Sequence, residues 1–250
     1  MNEYRDKLKK IWLNKDNIYF IHYSCQNLSD DNEGYSPRIT SIAVLHHQSN
    51  QMYSFSIHLV AEELGIDRAN IFEQYDIIEE KMLGHFFSFA AERGNAAQWF
   101  HWNMTNINFG FETLEHRYKV LSKKDAYHIN EKNRHNISKI TGKIYGKDYA
   151  KDPKMLNLML LNGGKERNFL VGEEEVRAYK AKEFVKLHNS TMCKVYFFSS
   201  VLYKIMYKKL RTENNQLKYK INDLYQSPVI QILGIIGIIG TLISLIIAFI

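Results

Sequence analysis

Three short stretches of the sequence carry side chains whose types and spacing could support chemistry. They read IYFIHYSCQNL, WFHWNMTNINFGF and HNSTMC, and among their polar residues are His22, Ser24, Cys25, Asn103, Asn108, His188 and Cys193. These side chains are imidazoles, hydroxyls, amides and thiols, and none is a carboxylate. Such ligands do not suit Mg²⁺, which prefers carboxylate and other oxygen ligands. The stretches therefore favour binding over magnesium-dependent hydrolysis.

Hydrophobic patterning predicts the elements that position these stretches. Apolar runs predict strands at residues 18–23, 39–46 and 51–59, with a turn at 48–50, so we expect three antiparallel strands. Helical spacing predicts a short charged helix over 1–17, a helix over 60–93 that ends at Gly94, and an amphipathic helix over 109–121. A short buried strand lies in AAQWFHWN, residues 122–178 are helical and loop-rich, and residues 173–224 predict an almost continuous helix. This order indicates an α/β domain.

Residues 15–205 resemble the DEDD 3′–5′ exonucleases, which have a ribonuclease H-like fold. The first motif of that family is Asp-x-Glu-Thr-x-Gly-Leu, and here His22 and Ser24 stand in place of the two acids. The second motif keeps Asn103 but has Asn108 in place of its Asp, and the third keeps His188 but has Cys193 in place of its Asp. The resemblance implies that the metal-binding acids are lost, and with them two-metal hydrolysis.

The resemblance implies that the cleft of the fold remains, and that it would hold a single nucleic-acid strand through stacking and phosphate contacts. The residues predicted to contact nucleic acid are His22, Tyr23, Ser24, Trp102, Asn103, Asn108 and His188. The alternative for the aromatic residues, including Trp99, is that they pack in the core. No cofactor or metal is predicted, although His22, Cys25, His188 and Cys193 form an alternative zinc set, and both cysteines could instead be inert buried residues.

Composition restricts the class of protein. The 250 residues suit one main domain with an accessory element, and a net charge of +6 favours an anionic partner such as nucleic acid or lipid headgroups. Two cysteines and a charged N-terminus without a signal sequence favour a reducing compartment.

The C-terminal residues 229–250 predict a transmembrane helix, since residues 232–250 carry no charge. A buried core helix is the alternative. The basic residues before the span predict a single-pass protein of the bacterial inner membrane with its N-terminal domain in the cytoplasm. Small residues that would let neighbouring helices approach and line a pore are Gly234, Gly237, Gly240, Thr241 and Ser244.

The segment before the span shows a coiled-coil rhythm. Apolar and polar residues recur at alternating spacings of four and three, and the set is Tyr203, Tyr207, Leu210, Asn214, Leu217, Ile221 and Leu224. This predicts an oligomerising neck at residues 201–228 between a domain at 1–200 and the span at 229–250. The alternative is an amphipathic helix packed on its own domain.

A degenerate head, a neck and a span together resemble the transmembrane effectors of Hailong anti-phage systems. That resemblance implies a homo-oligomeric ion channel, with a tetramer as one form, regulated by single-stranded DNA oligomers that a nucleotidyltransferase makes. Two alternatives stay open. One is a membrane-tethered nuclease that uses Glu112, Glu115 or Asp125, and the other is a tail-anchored scaffold without a ligand.

Overall fold

A computed structural model describes residues 2–26, 36–105 and 108–215. The strands are β1 (Ile18–Cys25), β2 (Ile39–His46), β3 (Met52–Ser56), β4 (Gln98–His101) and β5 (Arg134–Asn136). The helices are α1 (Asn2–Leu13), α2 (Ile57–Glu63), α3 (Tyr75–Arg93), α4 (Phe111–Ser122), α5 (Ile137–Tyr145), α6 (Lys154–Leu161), α7 (Gly172–Lys180) and α8 (Phe184–Met206).

The five strands form one mixed sheet in the order β3-β2-β1-β4-β5. Strands β1, β2 and β3 pair antiparallel, as the sequence predicts, whereas β4 pairs parallel with β1 and β5 parallel with β4. Strand β1 is central and buried along its whole length, which explains why its sequence is apolar and aromatic. The predicted α/β class is confirmed.

Helices cover both faces of the sheet. Because side chains alternate along a strand, Tyr19, Ile21 and Tyr23 of β1 pack in a core with α3 and α4, on what we call the α3 face. On the opposite α8 face, Ile18 and Phe20 pack in a second core with α1, α5, α6 and the later part of α8. Each residue of β1 is therefore assigned to one of two separate environments.

The predicted helix over 60–93 is two helices. Helix α2 begins at Ile57, inside the predicted strand 51–59, and it is followed by Gly65 at a φ of +67°. A short 3-10 turn, Arg68–Asn70, then begins with the Asp67 carboxylate accepting from the Ala69 N–H at 2.9 Å. The predicted end of α3 at Gly94 is confirmed. Strand β5, with three residues, was not predicted because so short a run carries no period.

The predicted continuous helix over 173–224 is wrong for the described residues. It is interrupted between α7 and α8, where Lys182 has a φ of 59°, and α8 ends at Met206. The chain then turns back, so that Leu210 is buried in the core that contains Leu8 and Trp12. Asn214 donates to the Tyr145 carbonyl at 2.7 Å. The packed fold thus extends past residue 200, to at least Asn214.

These contacts correct the neck prediction where the structure describes it. Leu210 and Asn214 contact their own domain instead of a coiled-coil seam, and the tilted rings of Tyr203 and Tyr207 contact each other with centroids 4.5 Å apart. A heptad rhythm cannot by itself distinguish a helical stripe from apolar residues that a non-helical segment buries. The remaining members of the set, Leu217, Ile221 and Leu224, lie outside the described residues, and self-association through them stays a prediction.

Within residues 2–26, 36–105 and 108–215, no helix is both long and apolar enough to cross a membrane. The predicted span at 229–250 lies outside these residues and stays a prediction, together with its pore-lining set Gly234, Gly237, Gly240, Thr241 and Ser244.

Candidate nucleic-acid interface

The carboxyl ends of β1 and β4 lie side by side because these two strands are parallel neighbours. Helix α8 crosses the α8 face of the sheet, and three of its residues at helical spacing contact the strands there. The His188 imidazole lies 2.6 Å from the Ser41 hydroxyl, and the Thr191 hydroxyl lies 2.7 Å from the Ser24 hydroxyl. The ring of Phe198 lies 5.5 Å from the ring of His22. The first and third motifs of the sequence therefore meet.

A buried polar cluster fills the place where these motifs meet, and we call it the β1 polar cluster. It consists of Ser24, Glu175, Ser190, Thr191 and Lys194. The Lys194 ammonium donates to Glu175 Oε1 at 2.7 Å, and the hydroxyls of Ser24 and Ser190 donate to the same oxygen at 3.1 and 3.2 Å. The side chains of Lys194 and Glu175 are only 6% and 13% exposed. A cation and its carboxylate partner thus occupy the end of β1.

His22 is buried beside this cluster. Its ring makes edge contacts with Phe109 at 5.7 Å and Phe198 at 5.5 Å, and its Nδ1 has no hydrogen-bond partner among the described residues. Burial holds the pKa of His22 well below its usual range, and the nearby charge of Lys194 lowers it further. His22 is therefore neutral at pH 7, and it adds no anionic ligand at the position where the resembled family has an Asp.

His188 is also buried and neutral. Its Nδ1 shares a hydrogen bond with Ser41, and its ring lies 5.5 Å from the ring of His58. Burial lowers the pKa of His188 to about 4, with a smaller contribution from His58. The third motif thus places an uncharged imidazole against β2.

Tyr23 and Trp102 do not present their rings to solvent. Tyr23 is 1% exposed on the α3 face, where its hydroxyl donates to the Gly110 carbonyl at 3.4 Å. Trp102 is 5% exposed on the α8 face and stacks on Phe198 at 6.0 Å. Tyr23, Trp102 and Trp99 all pack in the core, which is the alternative that the sequence left open. A base could stack on these rings only if the core opened.

Asn103 and Asn108 are the two predicted contact residues that are exposed. Asn103 follows β4 with a φ of 56°, a left-handed conformation that Asn tolerates better than most residues. Its side-chain oxygen accepts from Asn136 Nδ2 at 3.1 Å, and its N–H donates to Asn136 Oδ1 at 3.4 Å. Asn136 ends β5 and caps α5, so amides from two neighbouring parallel strands meet at one edge.

His101, at the end of β4, completes this edge. Its Nδ1 accepts from the Met104 N–H at 3.1 Å, which makes Nε2 the protonated nitrogen. Burial, with smaller contributions from the nearby His135 and Arg134, lowers the pKa of His101 to about 3. The loop after β4 is therefore held by a neutral histidine.

The alternative zinc set does not come together. His22 and Cys25 lie three residues apart on β1, so they face opposite sides of the sheet, and Cys25 belongs to the core on the α3 face. Cys193 packs against the core of the α8 face, where burial raises the pKa of its thiol to about 11. Across the described ranges, no group of three or more His, Cys, Asp or Glu residues could hold a metal ion.

The acids of the alternative nuclease are engaged in ion pairs of their own. Glu112 and Glu115 both pair with Arg134, and Asp125 pairs with Lys119 at 2.7 Å. They lie on or just after α4, which packs on the α3 face, whereas the β1 polar cluster lies on the α8 face. The sheet thus separates these acids from the β1 polar cluster.

Sequence reasoning missed Glu175, Lys194 and Asn136. Lys194 had a detectable signal, because it interrupts an apolar stripe of α8 at a spacing of three from Thr191 and four from Phe198. Glu175 had no detectable signal, because its partner Lys194 lies 19 residues further along the chain and on a different helix. In comparisons with known proteins, no family model, no curated protein and no solved structure matches the chain.

Proposed function

We propose that this chain is a non-catalytic nucleic-acid-binding membrane effector. Its α/β head would bind single-stranded DNA oligomers, and residues 229–250 would form an ion-conducting assembly in the bacterial inner membrane. The observation that carries the proposal is the β1 polar cluster. In the place where the resembled exonucleases need metal-binding acids, this chain has a buried Lys194–Glu175 ion pair and a neutral His22.

The residue types at this position argue against two-metal hydrolysis. Two divalent ions need several carboxylate oxygens to hold them and to activate a water molecule. The one carboxylate in the cluster, Glu175, already accepts three hydrogen bonds on one oxygen, and the Lys194 ammonium would repel a divalent cation. We therefore propose a ribonuclease H-like head that binds nucleic acid without cleaving it.

Support for the fold part of this proposal comes from the sheet. Three antiparallel strands are followed by the helices α2 and α3, a strand parallel to β1, a helix and another parallel strand, and α8 crosses the sheet last. Apart from β5 and the division of the first helix into α2 and α3, this is the order of elements on which the resemblance was based. Support for binding comes from the net charge of +6 and from the exposed amides Asn103 and Asn108 at the carboxyl edge.

The membrane part of the proposal is supported by the sequence of residues 229–250 and by the resemblance. An uncharged helix of Ile, Leu and Gly needs partners to enclose a conducting path, so a homo-oligomer, such as a tetramer, is part of the proposal. Ligand in the head would regulate the channel only by binding its closed and open states with different affinity. A nucleotidyltransferase would act upstream by producing the DNA oligomer.

The test uses the full-length protein in detergent and short fluorescent single-stranded DNA oligomers. We expect anisotropy to report binding that weakens as salt rises, because phosphate contacts release counterions. The oligomers should stay intact with Mg²⁺ or Mn²⁺. Asn103→Ala and Asn108→Ala should weaken binding, whereas Asn95→Ala, an exposed amide at the other end of β4, is the matched control.

Two outcomes would replace this proposal. Cleavage that persists through repurification and stops in EDTA would establish a nuclease. No binding of any oligonucleotide at low salt would leave a tail-anchored scaffold.

A further inference from the structure

A pocket of about 400 Å³ opens at the start of α8, beside the third motif, whose Asn189 lines it. Its buried apolar side chains are Ile71, Leu170 and Phe184, which are 1%, 9% and 4% exposed. Sites for small ligands are typically concave, mostly apolar and about 300–1,000 Å³ in volume, with a few polar groups that fix orientation. The size and apolar floor of this pocket suit one small organic molecule.

Cationic side chains dominate the rim of the pocket. Arg68, Arg167, Lys182 and Lys186 line it, and Glu183 is the one carboxylate that does so. The four cations come from four different segments. Arg68 lies in the 3-10 turn before α3, Arg167 in the loop before α7, Lys182 in the turn after α7 and Lys186 in the first turn of α8. Folding therefore concentrates positive charge that is dispersed in the sequence.

The cations are only weakly committed to other partners. Arg68 meets Glu62 at 3.6 Å on an exposed surface, and Lys186 meets Glu183 at 2.9 Å with both side chains about half exposed. Lys182 lies over the ring of Phe72 at 5.0 Å. In the part of the chain that the structure describes, Arg167 forms no ion pair. Exposed pairs contribute little free energy, so an anion in the pocket would compete with them easily.

The start of α8 adds to the same field. Its first backbone N–H groups have no partner within the helix, and the N-cap residue Glu183 makes no side-chain capping bond among the described residues. Helix N-termini attract anions through these N–H groups and the helix dipole. Phe184, Val185 and Lys186, the first residues of α8, all line the pocket.

We propose that this pocket binds a phosphate monoester on a body of nucleotide size. The cationic rim and the start of α8 hold the phosphate, and Ile71, Leu170 and Phe184 contact the apolar body. This site is separate from the edge at Asn103 and Asn108, and it does not depend on nucleic-acid binding there. Its wall residue His58 packs against His188 of α8, and α8 also supplies Ser190, Thr191 and Lys194 to the β1 polar cluster.

The test is calorimetric titration of the full-length protein in detergent with deoxyadenosine 5′-monophosphate, deoxyadenosine and inorganic phosphate. Because hydrogen bonds to charged groups are the stronger ones, removing the phosphate should weaken binding at least roughly tenfold. Arg167→Gln should weaken binding of the monophosphate roughly tenfold for the same reason. Arg177→Gln removes the same charge from an exposed site on α7 that does not line the pocket, and it is the matched control.

A second variant predicts the opposite sign. Glu183→Gln removes the carboxylate that competes for the start of α8, so it should strengthen binding of the monophosphate by about twofold to fivefold. A variant that merely damages the fold would not strengthen binding. This result therefore distinguishes a built anion site from a loss of structure.

A single-stranded oligonucleotide with and without a 5′-phosphate identifies the source of the phosphate. If only the phosphorylated oligonucleotide depends on Arg167, the pocket takes a nucleic-acid end; if the free monophosphate binds, it takes a nucleotide. Equal binding of deoxyadenosine and its monophosphate, or equal losses in Arg167→Gln and Arg177→Gln, would overturn the assignment. Failure of the proposed function appears separately, as no binding of the unphosphorylated oligonucleotide.

Discussion

The Lys194→Met substitution tests the buried ion pair on which the proposed loss of hydrolysis rests. Methionine keeps most of the length and volume of lysine but removes the ammonium. It leaves Glu175 in place with two hydroxyl donors, Ser24 at 3.1 Å and Ser190 at 3.2 Å. The carboxylate side chain is 13% exposed, so water cannot fully replace the lost partner.

The expected magnitude follows from burial. Removing one partner of a buried pair typically costs about 3–5 kcal/mol, and the two remaining hydroxyl donors offset part of that. We expect Lys194→Met to lower the free energy of unfolding by about 3 kcal/mol. With a urea slope of about 3 kcal/mol/M for a protein of this size, the unfolding midpoint should fall by about 1 M.

Tryptophan fluorescence during urea unfolding of the full-length protein is the assay. All three tryptophans, Trp12, Trp99 and Trp102, are buried in the described fold, so the signal reports its loss independently of the C-terminal segment. Lys186→Met is the matched control. It breaks the Lys186–Glu183 pair, whose distance of 2.9 Å is close to the 2.7 Å of Lys194–Glu175. The side chains of Lys186 and Glu183 are, however, 55% and 45% exposed. Its expected cost is about 0–1 kcal/mol.

Equal losses for Lys194→Met and Lys186→Met would refute the reasoning. They would mean that Lys194 is not held in a water-poor site, and the cation would then not occupy the end of β1. A double-mutant cycle with Glu175→Gln adds a second criterion. We expect a coupling of about 2 kcal/mol between the two residues, and a coupling near zero would contradict the ion pair.

Three further predictions concern acid stability, a second buried pair and the membrane. His101 and His188 have folded pKa values of about 3 and 4 because of burial, against about 6.5 when unfolded, so the unfolded state binds more protons below pH 6.5. Each should remove about 1.4 kcal/mol of stability per pH unit as pH falls from 6.5 toward 4, and a flat urea midpoint over that range would contradict this. Arg117→Met breaks a bidentate pair with the fully buried Glu79, at 3.0 and 2.7 Å. It should lower the free energy of unfolding in urea by about 3–5 kcal/mol, and a loss below about 1 kcal/mol would count against the pair. Expression of the protein without its regulator should depolarise cells in a membrane-potential dye assay, and deletion of residues 229–250 should abolish this; a truncated protein that still depolarises cells would remove the channel proposal.

Local patterning was sufficient to predict four of the five strands and the helices α1, α3 and α4. Strands β1, β2 and β4 are short apolar runs bounded by turn residues, and α4 shows a clear helical spacing. Such patterns work because burial of a strand or a helix face leaves its own period in the chain.

Long-range packing settled what the periods left ambiguous. The spacing of Tyr203, Tyr207, Leu210 and Asn214 suits a coiled coil. Leu210 is instead buried in a core that also contains residues of α1, about two hundred residues earlier in the chain. Likewise, the motif of His22 and Cys25 suits a metal site only until strand pairing sends the two side chains to opposite faces. Contacts of this kind depend on which elements meet in space, and no local window of sequence contains that information.

The contents of the β1 polar cluster are the clearest case. From the sequence, Ser24 could only be recognised as a replacement for an acid. The folded chain brings Glu175 from α7 and Lys194 from α8 to it, so that a lysine ammonium and its partner carboxylate fill the end of β1. A buried charge needs a partner of opposite sign to be stable, and that partner can come from any point in the chain that tertiary packing brings within hydrogen-bond distance.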